Sequence, residues 1–432
     1  MPTEYLSIAV CFRASSNSGC EIGRRFPSLR RRSKRSCSPT RIWTTRATCR
    51  SWCATGSGGR SFAPKRLEDL CAILLPDSGY LQEKDAEAAN RHGYTKHKPA
   101  LPLYTKRDAE DCLKYFRPVA FDRPQPVGKE AAVRFLVAGH ILGAAIAAIE
   151  CAGVTIVFSG DLGRPGDPTM LDPASVGKAD YLVVESTYGN RRHDPRDPED
   201  ALAEVVNRTV HRGGTILVPA FAVGRVQAVL YHLQRLKAAR RIPDVPIYLD
   251  SPMAVNASRV FCDHLGEHRL TEAECMATCN VATYVQGVEE SKALDQNAAM
   301  PKIIVSASGM ATGGRILHHL KCYATDPRNI VLFTGFQAGG TRGAAMTAGA
   351  NQVKIHGAYI PILAEVENLH MLSAHADADE IVAWLRHFES PPRMTFVTHG
   401  EPEASDALRK RIDDELGWPS RVPEHGERDE LS

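Results

Sequence analysis

From about residue 67 the chain is written as short apolar runs that each stop at small or polar residues, with amphipathic stretches between them. VRFLVAGH, AAIAAIE, VTIVFSGD, ADYLVVEST, TILVPAF, PIYLDSP, KIIVSASG, NIVLFTG and MTFVTHGEP are too short for helices and suit strands. EDALAEVVNRTVHRG, GRVQAVLYHLQRLKAA and ASDALRKRIDDEL repeat apolar residues with a helical period, the first closed by Gly213. LEDLCAILLPDSGYLQEKDAEAANRH reads as helical segments broken near Pro76, because proline lacks the N–H a helix interior needs. Strands alternating with helices predict an α/β fold with sheets covered on both faces, and functional groups on loops at strand ends. A length of 432 residues predicts two domains.

Charge divides the chain unevenly. Residues 1–66 hold fourteen Arg or Lys against the two acids Glu4 and Glu21, a net of +12. The whole chain carries +3, so the remainder carries −9. Those first 66 residues are rich in Arg, Ser and Cys and keep no period for long. No run of eighteen apolar residues occurs, so no membrane span is expected, and the start MPTEYLSIAVCF lacks the pattern of a secretory signal. Twelve cysteines without a C-x-x-C pair suit free thiols in a reducing, cytoplasmic setting.

Five strand ends carry residues that bind metals or move protons: His140 in AGHILGAA, Asp161 in FSGDLGRP, Glu185 in VVESTYGNRRH, His375 in LSAHADADE and His399 in FVTHGEPEA. Singly, a histidine after a strand is commonly a hydrogen-bonded loop residue, and an Asp before Leu-Gly a common turn. Together, in this order, GHILG, SGDLGRP, ESTYG, VPAFAVGR, SASGMATGGR, GFQAGGTRG, SAHAD and HGEP resemble the metallo-β-lactamase superfamily, β-CASP branch, over essentially residues 67–428. Gly340 departs from that pattern, which often has Glu there.

The resemblance implies a zinc-dependent ribonuclease with two zinc ions, acting on RNA. His140 would ligate the first zinc, Asp161 would bridge both, and His399 would ligate the second. His375 would be the general acid at the departing 3′ oxygen. Glu185 would orient His375 or a metal-ligand histidine. The residue types suit the chemistry: zinc takes imidazole nitrogen and carboxylate oxygen, and an imidazole can supply a proton near neutral pH. A second set would hold the RNA backbone. Ser308, Gly309 and Met310 follow the strand KIIVSA, with Thr312 to Arg315 opening a helix whose N–H groups could face phosphate, and Arg342 is a candidate phosphate fork. A plain glycine-rich connection is the competing reading of these residues.

The family's H-x-H-x-D-H signature, expected within the first sixty residues, is absent: the only histidines before His140 are His92 and His97. Reading each codon's third base with the next codon's first two changes this. Trp43 is TGG and Thr44 begins AC, which forces GAC, aspartate. Arg41 into Ile42, and Thr44 into Thr45, each allow histidine, so the stretch can spell S-H-A-H-L-D-H. Residues 6–66 are therefore read as translated out of frame, a hypothesis that the nucleotide sequence tests: codons unable to spell the histidine motif end it. An Arg-rich RNA-binding arm and an organellar transit peptide are its rivals.

The expected architecture is an αββα metallo-β-lactamase sandwich with an inserted β-CASP α/β domain. Residues 1–66 would be an aberrant, disordered basic segment. The lactamase domain would use 67–190 and 373–432, the insert 191–372, and RNA would enter between them. A homodimer is compatible with this plan. A metal-poor pseudoenzyme that binds RNA or a partner protein stays open, as does a hydrolase of another ester, although small-substrate relatives do without the second domain.

Overall fold

Alternate residues of the strand Ala145–Cys151 enter two different cores. Ala145, Ala147 and Ile149 pack with Phe62, Val133, Phe135 and Phe158, whereas Ile146 and Ala148 pack with Leu182, Val184, Ile381 and Leu385. Side chains alternate across a strand, so a strand apolar at every position must be covered on both faces. The structure, a computed structural model, describes residues 36–37, 61–93, 97–127, 131–297, 300–424, 427, 429 and 431. The histidine-motif reading of residues 39–50 lies outside the described residues.

The chain divides into two compact units. One takes residues up to Pro165, Asp172–Arg192 and His375–Ser432; the other takes Gly166–Leu171 and His193–Ala374. In the first unit a seven-stranded sheet runs in the order Ser420–Arg421, Met394–Thr398, Tyr181–Glu185, Val154–Phe158, Ala145–Cys151, Ala131–Val137, Gln125–Val127. The first four of these strands are mutually parallel and the rest antiparallel. One face is covered by the helices Ala378–Leu385 and Pro402–Arg411, through Ile381, Leu385 and Leu408. The other meets a small parallel sheet of Ser36–Cys37, Ser61–Pro64 and Phe116–Val119 through Phe62, and that sheet is backed by the helices Lys65–His92 and Lys106–Leu113. The layers are helix, sheet, sheet, helix.

Two expectations are corrected here. The irregular segment expected over 1–66 ends sooner, because Ser61–Pro64 is a fully buried strand and the next helix begins at Lys65. Phe62 feeds one core and Ala63 the other, so this strand is held from both sides. Nor is the following helix broken at Pro76: it runs from Lys65 to His92 through the proline. Leu67, Leu70, Cys71, Leu74 and Leu75 are buried before it and Gly79 after it. Tertiary packing on both sides of the proline outweighs the roughly 3 kcal/mol that a helix-interior proline costs.

The second unit is built on six parallel strands in the order Thr283–Val285, Ile247–Asp250, Ile303–Ser306, Ile216–Pro219, Ile330–Phe333, Glu365–Asn368. Separate cores cover its two faces, with Ile216 and Val218 on one side and Leu217 on the other. Among the described residues no helix is long and apolar enough to cross a membrane.

Candidate metal centre

Register brings the strand ends of the first unit together. Thr398 pairs with Glu185, and Phe158 with Val183, so three parallel strands finish at nearly one level and their next residues share one edge of the sheet. Loops at the carboxyl ends of parallel strands are where α/β sheets place their chemistry.

Each loop is shaped by its own sequence. Beyond the strand Val154–Phe158, Ser159 donates its hydroxyl to the Gly160 carbonyl at 2.7 Å and accepts the Glu185 N–H at 3.1 Å, which ties the Asp161 turn to the Glu185 strand. Beyond Ala131–Val137, Gly139 bridges to Leu162, and the Gly163 N–H donates to the Ala138 carbonyl at 2.7 Å. Gly163 lies flush against that loop: a Cβ there would stand 2.1 Å from the Gly139 carbonyl and 2.7 Å from the His140 nitrogen. Beyond Met394–Thr398, His399 takes the left-handed conformation, φ 74°, which costs a non-glycine residue energy. Ser186 holds that corner: its hydroxyl donates to the Thr398 carbonyl at 2.7 Å and accepts the Gly400 N–H at 3.1 Å.

The side chains converge. His140, Asp161 and His375 each offer a nitrogen or oxygen within 4.8 Å of one another, and so do Asp161, Glu185 and His399. The His140 and His375 rings are 4.2 Å apart between centroids, and His375 and His399 6.2 Å. His399 Nδ1 lies 2.9 Å from the Thr187 hydroxyl and 3.4 Å from Asp161 Oδ1. Nitrogen and oxygen donors at such spacing suit zinc. All five residues singled out in the sequence are thus brought together, four of them from strand ends; His375, expected at a fifth, instead stands between the short 3-10 turn His370–Leu372 and the helix Ala378–Leu385.

They are not equivalent. Glu185 is buried, and its carboxylate accepts the Leu162 N–H at 2.6 Å, the Thr187 N–H at 3.2 Å, and His375 Nδ1 at 3.0 and 3.1 Å. Burial pushes the carboxyl up. The charge and hydrogen bond of His375, with Thr187 and His140, outweigh that and hold it well below the usual carboxylate range. So occupied, Glu185 fits the orienting of His375 better than the holding of a metal. With Nδ1 donating to Glu185, the remaining ring nitrogen of His375, Nε2, is the one that can hold or release a proton. Thr187, Ser159 and Ser186 carried no assignment in the sequence, although two of them stand inside the quoted ESTYG. A Ser or Thr just past a strand end is a ready partner for loop N–H groups, and that was the available signal.

Ser308, Gly309, Met310 and Arg342 all belong to the second unit. The first three follow the strand Ile303–Ser306, and Gly309 is pressed onto Phe221, where a Cβ would meet the ring at 2.8 Å. Ser308 accepts the Thr312 N–H at 3.2 Å, and the Gly309 carbonyl accepts from Gln337 at 3.1 Å. The expected helix start at Thr312 is displaced: the helix is Ile316–Tyr323. Arg342 differs from the expected open fork. Its guanidinium donates to the carbonyls of Lys354 at 2.6 Å, Ala311 at 3.2 Å and Thr312 at 3.3 Å, which makes it a staple for this loop.

Residues 226–346 match the family described as the Beta-Casp domain, and residues 359–423 that described as the Zn-dependent metallo-hydrolase RNA specificity domain. Ribonuclease TTHA0252 of Thermus thermophilus is 37% identical over 72% of this chain and 72% of its own length. An RNase J-like protein of Methanocaldococcus jannaschii is 29% identical over 82% of this chain and 91% of its own. Transcription termination factor FttA of Pyrococcus abyssi is 32% identical over 74% of this chain, but only 52% of its own length is covered.

Proposed function

Because this chain belongs to the β-CASP branch of the metallo-β-lactamase RNA-processing hydrolases, we propose that it hydrolyses RNA phosphodiester bonds with bound zinc. The observation that supports this most is the convergence of His140, Asp161, Glu185 and His399 from four strand ends with His375 from the turn before the helix Ala378–Leu385.

His140, Asp161 and His399 would hold the metal, with Thr187 fixing the His399 ring through Nδ1. Zinc bound by these residues would supply Lewis-acid polarisation of the phosphate and an acidified water. Glu185 keeps the His375 ring aligned and its Nδ1 protonated. His375 then delivers a proton from Nε2 to the departing 3′ oxygen, and Glu185 stabilises the imidazolium before that transfer. In the second unit the Ser308–Gly309–Met310 loop would receive the phosphate backbone, with Arg342 keeping the loop in shape.

A metal-poor protein that binds RNA without cutting it is the second reading, favoured by the absence of an H-x-H-x-D-H run from the sequence. Zinc content of the purified full chain and cleavage of an end-labelled single-stranded RNA separate the two. The hydrolase reading expects bound zinc and cleavage that is abolished by a chelator and by His399→Ala. RNA bound without zinc or cleavage establishes the second reading. Cleavage that survives both the chelator and Asp161→Asn removes this site from the reaction.

A further inference from the structure

The second unit brings three cysteines together that play no part in the residues above. The helix Pro252–Asp263 carries Cys262 near its end, and the helix Glu272–Asn280 carries Cys275 and Cys279 one turn apart. Cys262 Sγ lies 2.7 Å from Cys275 Sγ and 3.2 Å from Cys279 Sγ. Merely touching heavy atoms settle at roughly 3.5–4 Å. Two thiolates on one tetrahedral zinc, each about 2.3 Å from the metal, stand roughly 3.8 Å apart. These sulfurs are closer than either arrangement asks, and lie on the side of the ~2.05 Å covalent bond. Among the described residues, the side-chain clusters compact enough for a metal ion contain no cysteine.

We propose that Cys262, Cys275 and Cys279 form a thiol–disulfide site that reacts with hydroperoxides. Cys262 and Cys279 are half-buried and Cys275 is buried, so a small oxidant reaches Cys262 while its partner is shielded. The Cys262 sulfur, giving up its proton in the step, attacks a peroxide oxygen. The O–O bond breaks, two electrons pass from sulfur to oxygen, and the leaving oxygen departs protonated, leaving a sulfenic acid. The Cys275 sulfur then attacks the Cys262 sulfur. The S–S bond forms, the S–O bond breaks, and hydroxide leaves with the Cys275 proton as water. Two thiols and one hydrogen peroxide thus give one disulfide and two waters. Cys279, on the other side of Cys262, can attack the same sulfur, transferring the bond to 262–279 and releasing the Cys275 thiolate with no net oxidation. The Cys262 hydrogen bond pulls the Cys275 thiol down and pushes Cys262 up to about 12, so at rest Cys262 keeps its proton, and that proton leaves with the departing oxygen.

The test treats the reduced full-length protein with equimolar hydrogen peroxide, alkylates without reduction, and maps peptides by mass spectrometry. The expected product joins Cys262 to Cys275, about 2 Da lighter than the dithiol, appears before oxidation of exposed Cys322, and is reversed by dithiothreitol. In Cys275→Ser the link moves to 262–279; should that variant not fold, the wild-type map alone decides. The proposal fails if Cys262 and Cys275 stay alkylatable while Cys322 oxidises. It also fails if Cys262 goes irreversibly to the sulfinic acid, or if added zinc is bound by the trio and no disulfide forms.

Discussion

His319 should make the second unit lose stability as the pH rises from 6.5 to above 8. Its side chain is wholly buried, with Nε2 2.8 Å from Asp250 and Nδ1 2.7 Å from Asp295. Asp250 is buried too, and also binds Arg315 and Ser291, each at 2.5 Å. Burial alone would push the imidazole down; the two carboxylates override it and raise it from 6.5 to about 8. A raised histidine binds its proton more tightly folded than unfolded. Its contribution is therefore complete below pH 6.5 and gone once the pH has passed through about 8. That shift corresponds to about 2 kcal/mol, or about 4–8 °C in Tm for a unit of this size. His232, His268 and His356 act in the opposite sense, each lowered chiefly by burial, so that their contribution is lost as the pH falls. The difference between wild type and His319→Gln removes them, since they are common to both. The assay is thermal unfolding of both proteins at pH 6 and pH 8.5, followed by far-ultraviolet circular dichroism. The gap between the two should shrink by about 2 kcal/mol at the higher pH. An equal gap at both values refutes a charged His319.

Gly163→Ala places a methyl 2.1 Å from the Gly139 carbonyl, and backbone cannot yield as a side-chain end would, so a loss of about 3 kcal/mol is expected. Calorimetry should show it together with reduced zinc uptake as His140 shifts; Gly153→Ala, with φ 81° and open space, should cost only ~1 kcal/mol and leave zinc uptake intact. Thr187→Val deletes the hydroxyl beside His399 Nδ1 and should weaken zinc about 10–100-fold in a metal titration; unchanged affinity would exclude Thr187 from the site. Arg342→Ala should lower stability by ~1–3 kcal/mol through its lost carbonyl contacts. If Arg342 instead meets phosphate directly, the salt dependence of RNA binding falls by about one ion while Tm holds.

Four residues of the candidate site, His140, Asp161, Glu185 and His399, were marked in the text because each closes or follows a short apolar run that ends where a sheet presents its loops; His375 follows a 3-10 turn, and only the resemblance of SAHAD marked it. The same rule did not reach Thr187, Ser159 or Ser186. Their contacts join segments far apart in the chain, as Ser186 does with Thr398 and Gly400, and no local period marks such a pair. Pro76 was misleading because a helix-breaking preference is local, while the burial of Leu74 and Leu75 that overrides it is not. Arg342 looked like an open fork in GGTRG, and only the folded loop shows which carbonyls occupy it.

Apolar period and strand-end chemistry were enough to specify layered α/β units, the order of their elements and the residue types a zinc site needs, since these follow from local geometry and from burying one face of each element. Folding decided the partnerships: it chose His375 for Glu185 from the two kinds of histidine the resemblance allowed, and it alone paired His319 with two aspartates and Cys262 with two thiols. Such pairs depend on strand register and on how helices lie over the sheets, and those come from summed packing across many positions, which no single stretch of chain contains.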